Sequence, residues 1–399
     1  MKLSPYVHLL IFVATVFVQI DAIRCLAQSN TIATSPYSQW KLGPPNDPSF
    51  FPIAVWLQSP RNAAKYKAAG INTYVGLWNG PTEEQLADLK KEGMKVICSQ
   101  TEVGLKSPNS DIIIAWMHGD EPDNAQPKAG GGYGPPILPK TIQADYEALK
   151  KRDPNRPIFL NLGQGVAYDQ YVGRGVRRNH PEDYREYILG SDIVSFDIYP
   201  AVHDKPEVAG KLEFVPNGVQ RLRQWSGDKK IVWNCIEASR ISNTKVKPTP
   251  AQVRSEVWMS IIAGSRGLIY FVHQFEPQFR EASLLDDPDL LAEVTSVNHE
   301  IQTLAPVLNS ASWPDRISVK ADKAQVKSMY KEIDGKTYLF LANHTAEPVE
   351  TTVQFKEQGL QNAEYSERLS STSGSLANLE LAVSLEQYGI AVYQLTPRK

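Results

Sequence analysis

The sequence predicts a (β/α)8 barrel followed by a small antiparallel β domain. Between Phe51 and Phe275 eight short apolar runs alternate with longer amphipathic ones, and after about Asn309 the helical pattern gives way to short alternating runs. The chain of 399 residues has room for a barrel of about 250 residues and one further domain. Near-continuous apolar strands separated by helices imply a parallel sheet covered on both faces. Eight such units favour a closed barrel over an open doubly wound sheet, because no glycine-rich phosphate loop follows the first run.

The apolar runs cover 51–58, 71–78, 94–100, 112–118, 158–163, 193–199, 231–236 and 268–275. Helices are expected over 61–69, 82–92, 140–152, 181–189, 215–225, 250–263 and 287–304. Ser-Pro, Pro-Thr or Thr-Pro introduces several of them, and Gly70 and Gly93 follow two, the usual chemistry of helix starts and stops. The C-terminal strands are expected at 317–321, 328–333, 336–343, 349–355, 379–385 and 390–395, forming a sandwich. The domain boundaries read from this pattern are 1–28 for a signal peptide, 29–49 for a lead-in, 50–308 for the barrel and 309–399 for the β domain. A glycine cluster at 129–136 is expected to shape the barrel mouth.

Lys2, the apolar run from His8 to Ile20 and the small and polar residues near Ala27 read as an export signal, so a secreted or periplasmic location is expected. The run is too short for the roughly 20 residues of a membrane span, and no stable membrane insertion is expected once the leader is removed. A net charge of -2 with 22% charged residues offers no basic surface for nucleic acid. Cys98 and Cys235 fall in separate strands, so no disulfide is expected between them. No His-x-x-x-His or Cys-x-x-Cys spacing occurs, so neither a metal nor a cofactor is expected.

In such a barrel, chemistry comes from the C-terminal strand ends and the loops just beyond them. Those ends offer Trp56, Trp78, His118, Asp120, Glu121, Asn161, Asp197, Tyr199, Asn234, Glu237 and His273. Carboxylates, amides and aromatic rings without a Ser-His-Asp set suit a sugar: ring faces stack, hydroxyls need polar partners, and glycosidic cleavage needs two carboxyl groups. The expected partner is an oligo- or polysaccharide. Glu121 ends the fourth run in Trp116-Met117-His118-Gly119-Asp120-Glu121-Pro122, and Glu237 ends the seventh in Trp233-Asn234-Cys235-Ile236-Glu237.

This placement resembles the clan A glycoside hydrolases, retaining enzymes with an acid/base glutamate after strand four and a nucleophile glutamate after strand seven. The resemblance implies Glu121 as acid/base, Glu237 as nucleophile, and Tyr199 as a hydrogen-bond partner of the nucleophile. Trp56, Trp78, His118, Asn161, Asp197, Asn234 and His273 are the expected substrate contacts. One position departs from the clan: Asp120 stands where an asparagine usually precedes the acid/base. An Asp-Glu pair is similar instead to the substrate-assisted N-acetylhexosaminidases of families 20 and 123, which would make Asp120 and Glu121 the working pair and Glu237 a binder. A non-catalytic polysaccharide-binding barrel is the alternative outside catalysis, with a metal-dependent hydrolase behind it. Glu121 needs a raised pKa, expected from burial beside Trp116 or another tryptophan. Arg174, Arg177 and Arg178 are expected to be solvated, and Asn343-His344-Thr345 is a possible glycosylation sequon.

Overall fold

The computed structural model describes residues 35–321 and 325–398, so the expected leader lies outside the described residues. The parallel strands are β1 (Ile53–Trp56), β2 (Thr73–Val75), β3 (Lys95–Cys98), β4 (Ile113–Met117), β5 (Ile158–Leu162), β6 (Ile193–Phe196), β7 (Ile231–Val232), β8 (Asn234–Glu237) and β9 (Leu268–Phe271). β1 to β7 pair with their neighbours in order, β8 pairs with β9, and β9 returns to β1. β7 and β8 are two halves of one barrel strand, broken at Trp233. The first half pairs with β6 and the second with β9, so this strand closes the barrel.

The break has a local cause. Trp233 is fully buried, its backbone N–H donates to Val194 O at 2.9 Å, and its ring fills the barrel floor. A Cβ on Gly267 would come within 2.4 Å of that ring, so only glycine lets the neighbouring strand pass. The indole N–H donates at 2.9 Å to Tyr37 Oη, which in turn donates at 2.8 Å to Arg266 O. The lead-in therefore plugs the base of the barrel and satisfies a buried donor there.

The outer layer comprises α1 (Ala63–Ala68), α2 (Glu83–Lys91), α3 (Glu102–Lys106), α4 (Pro139–Arg152), α5 (Tyr184–Tyr187), α6 (Phe214–Ser226), α7 (Pro250–Ala263) and α8 (Pro288–Asn309). Capping boxes start α2 at Thr82 with Gln85 and α7 at Thr249 with Gln252, the latter followed by Pro250 at the first helical position. Helix α8 runs five residues beyond the expected end at 304, because Pro306 sits so near the terminus that its missing N–H costs a single helical bond.

The C-terminal domain has two antiparallel sheets, built from β10 (Ile317–Val319), β11 (Val326–Ile333), β12 (Lys336–Asn343), β13 (Val349–Phe355), β14 (Glu364–Glu367), β15 (Ser373–Ser375), β16 (Glu380–Leu385) and β17 (Ile390–Thr396). Their order is β10-β13-β16 in one sheet and β11-β12-β17-β14-β15 in the other, with a core of their own between them. β14 and β15 escape a reading by hydrophobic alternation because Ser373-Gly374-Ser375 is wholly exposed. Tyr338, Phe340 and Val392 join the barrel's outer core, where Phe340 meets Trp258 of α7 with ring centroids 6.1 Å apart. Asn343 of the possible sequon is buried, and its amide donates to Glu347 O and Glu386 O, so it is not presented as a glycan acceptor. No helix among the described residues is long and apolar enough to cross a membrane.

Removing the Tyr37 hydroxyl strands the Trp233 indole N–H in the barrel floor. Tyr37→Phe is expected to cost about 1–3 kcal/mol in urea denaturation, the range for a buried donor left unpaired.

Candidate active site

A cavity of about 380 Å³ opens at the C-terminal end of the barrel. Asp120, Glu121, Asn161, Gln164, Tyr171 and Asp197 form one side, after β4, β5 and β6. Trp56, Leu57, Trp78, Phe271, His273 and Phe275 form the other, after β1, β2 and β9. An acidic wall thus faces an aromatic one, with Tyr199, Cys235 and Ile241 between them and neither lysine nor arginine in the lining.

The tight turn after β4 brings both of its acids into the cavity. Glu121 adopts φ +42°, an unfavourable conformation for a side chain with Cβ, and its N–H donates to Asn161 O at 3.2 Å. Asn161 is fixed from two sides: Ser195 Oγ donates to Oδ1 at 2.6 Å, and Nδ2 donates to Asp120 Oδ1 at 2.9 Å. Gly163 supplies the room, since a Cβ there would lie 2.9 Å from Glu121 Oε1 and 2.6 Å from Asn124 Oδ1. Below the turn, fully buried Asp123 accepts from Gly163 N and Tyr184 Oη, each at 2.9 Å. Arg174 is buried too, donating to Asp123 O and Asp183 Oδ2 and lying over the Tyr184 ring. The expectation of a solvated Arg174 is therefore corrected: it braces the acid turn from beneath.

The Asp197 carboxyl lies beside Glu121 and Tyr199, and all three line the cavity. Its Oδ1 is buried without a partner among the described residues. Burial raises Asp197 to about 7, against the pull of the Glu121 bond, and raises Asp120 to about 6, against the bond from Asn161. Glu121 is pushed well above the ordinary glutamate range, first by burial and then by the charge of Asp197. Asp120 is exposed and Glu121 and Asp197 are half-buried, so the pressure on them is that of a wet cleft rather than a dry interior. Trp116 plays no part: its indole N–H donates to Asp153 Oδ2 at 2.9 Å, in the layer between strands and helices.

Three expected site residues are not in the cavity. Glu237 is fully buried, its carboxylate accepting from Ala201 N at 2.6 Å and Val202 N at 3.0 Å, beside Glu256 of α7. It forms no wall of the cavity, which corrects its assignment as nucleophile. His118 Nε2 is tied to Gly190 O at 2.8 Å, and Asn234 Nδ2 donates to Ser260 Oγ at 2.9 Å, so both face the helical layer. Tyr199 lines the cavity but lies beside Asp197 rather than Glu237. Of the lining residues the sequence did not single out, Phe271 and Phe275 follow the period-two pattern through His273 and could have been found from it; Tyr171 lies in a loop and carried no such signal. Among the described residues, no grouping of three or more His, Cys, Asp or Glu is arranged to hold a metal ion.

No family model and no curated protein sequence matches this chain. Solved structures do. α-Galactosidase I from Mortierella vinacea superposes with a TM-score of 0.52 at 10% identity, over 88% of this chain and 97% of that one. A GH27 β-L-arabinopyranosidase from Geobacillus stearothermophilus gives 0.48 at 11% identity, over 92% and 99%. At 10% identity the likeness to the α-galactosidase is one of fold.

The acid cluster has a thermodynamic signature. Carboxyls raised by folding hold protons that the unfolded chain releases, so their favourable contribution is present at low pH and is lost as pH rises through the raised values. Stability is therefore expected to fall between about pH 4 and pH 7. Asp197→Asn should flatten that slope and stabilise the protein by about 1–2 kcal/mol at pH 8, measured by denaturation across pH. Gly163→Ala should fold yet displace Glu121 and Asn124, visible in a crystal structure as a changed turn after β4.

Proposed function

We propose that the protein is a glycoside hydrolase in which Glu121 is the general acid and the substrate's own 2-acetamido group is the nucleophile, oriented by Asp120 and Asp197. The observation that carries this reading is the company Glu121 keeps: it sits with two aspartates in a pocket whose walls do not include Glu237. A retaining double displacement by two carboxyls needs them about 5–5.5 Å apart, and inversion about 6.5–9.5 Å. Asp120, Glu121 and Asp197 all stand on the acidic wall of the cavity, and no carboxyl faces Glu121 from the aromatic wall.

The reaction balances without a protein nucleophile. Glu121 gives its proton to the glycosidic oxygen, the bond from that oxygen to the anomeric carbon breaks, and the acetamido carbonyl oxygen bonds to the same carbon from the opposite face. The positive charge that spreads over the acetamido nitrogen is matched by the ionised aspartate beside it. Water then opens the cyclic intermediate, returning its proton to Glu121 and leaving the original anomeric configuration. Asn161 supports the step by holding Asp120.

The aromatic wall supports a sugar as the occupant. Trp78 is 43% exposed and Phe275 46%, yet each is held in place, Trp78 by an indole bond to Glu281 and Phe275 by a backbone bond to Ile241 O. Exposed aromatic faces opposite a hydrogen-bonding wall suit a pyranose ring. Without a cation in the lining, a neutral sugar is favoured over a uronate or sulfate. Secretion or a periplasmic location, drawn from the N-terminal residues, belongs to the same proposal.

Glu121→Gln is expected to lower kcat by about 10²–10⁴-fold on 2-acetamido glycosides. Asp120→Asn should also be severely impaired on them. Comparable rates on glycosides with a free 2-hydroxyl would overturn the substrate-assisted mechanism and assign a carboxylate nucleophile. Binding of such sugars with no turnover by the wild type would make the protein a carbohydrate-binding barrel.

A further inference from the structure

Glu237 and Glu256 form a buried acid pair outside the catalytic pocket. Both side chains are fully buried, one at the end of β8 and the other on the barrel-facing side of α7. Glu237 accepts the backbone N–H groups of Ala201 and Val202 at 2.6 and 3.0 Å, one on each oxygen. Those amides belong to the single turn Pro200–Val202 that directly follows Tyr199, and Tyr199 and Asp197 both line the pocket. The turn is held from its other side as well, by Asn243 Nδ2 donating to Val202 O at 3.0 Å. The next residue, His203, meets the pocket residue Gln164 through Nε2 and Oε1 at 3.0 Å.

An ionised carboxyl only accepts, so Glu237 and Glu256 can bond to each other only if one of them brings a proton. Two buried carboxylates without one would repel in a region of low dielectric, and neither has a cation within reach to offset that. Glu256 is the titratable group that acts on Glu237. Both oxygens of Glu256 are buried without a hydrogen-bond partner among the described residues.

We propose that the Glu237–Glu256 pair, joined by one proton, is a positioning device that fixes the Tyr199–Val202 turn and through it the Asp197 side of the active site. Burial raises both acids, and the neighbouring Glu237 charge keeps Glu256 protonated. With Glu237 raised to about 7, the one-proton pair forms around neutral pH, and its support of the turn is lost as rising pH removes the last proton. As an activity claim this rests on the glycosidase reading; as a claim about the turn it does not.

The test compares wild type, Glu256→Gln and Glu237→Gln across pH 5 to 9. A glutamine at 256 donates from an amide that does not titrate. Glu256→Gln is expected to keep kcat within about twofold at pH 6 and to extend the active range upward by about one pH unit. Glu237→Gln should lower kcat about tenfold with KM unchanged, because a neutral amide oxygen accepts one of the two N–H groups well and leaves the other poorly satisfied. Glu256→Asp, which withdraws the carboxyl by one methylene, is the second variant should the glutamine fail to fold, and should move the alkaline limb downward. A wild-type pH profile in Glu256→Gln, or lowered stability with unchanged kcat in both, would overturn the positioning role. If the wild type hydrolyses no glycan, the glycosidase reading fails alone. Crystal structures at pH 6 and pH 9 then decide: a turn that moves in wild type and stays in Glu256→Gln supports the pair, and a turn unmoved in both refutes it.

Discussion

Glu121 beside Asp197, in a lining without lysine or arginine, requires that the two carboxyls not both be ionised as they would be on an ordinary surface. Much of the upper half of the barrel serves that requirement. The lining offers no cation to neutralise the acids, and burial acts on all three in the same direction. What cannot be neutralised by a partner must be neutralised by protonation, and a carboxyl that stays protonated near neutral pH is what an acid catalyst needs.

Holding such a cluster costs stability, and the surrounding structure offsets it with fixed geometry. Arg174 is the buried cation closest to the problem, yet it stands beneath the turn and pairs with Asp123 and Asp183 rather than with the working acids. The positive charge thereby anchors the backbone of the turn without collapsing the pKa of Glu121. Gly163 keeps the facing strand end bare, and the left-handed backbone at Glu121 becomes tolerable because Asn161 and Asn124 pin it from both sides.

The same logic recurs one layer out. Glu237 and Glu256 share a buried environment without a cation, and their linked carboxyls stitch β8, α7 and the turn after β6 into one unit. α7 also carries Trp258, which packs on Phe340 of the β domain, so the helix beside the turn after β6 is itself held by the C-terminal sheet. The β domain thereby contributes to the barrel's rigidity without reaching the pocket.

The sequence by itself determined the alternation of strands and helices, because apolar periodicity and capping chemistry act over a few residues and need no partner. Thr82 with Gln85 and Thr249 with Gln252 could be read as helix starts for that reason. It also located the acid turn, since a strand end in a parallel barrel must point toward the mouth. Asp120, Glu121, Asn161, Asp197, Tyr199, Trp56, Trp78 and His273 all meet there. Only the tertiary structure decided the fates of Glu237, His118 and Asn234. At a strand end, a rotation of a few tens of degrees separates a residue facing the cavity from one facing a helix, and what settles it is the pairing available on each side. Glu237 found two amides and a protonated partner in the helical layer, which no spacing along the chain could announce. Arg174 went inward for the same reason: its partners Asp123, Asp183 and Tyr184 lie apart in sequence and converge only when the barrel closes.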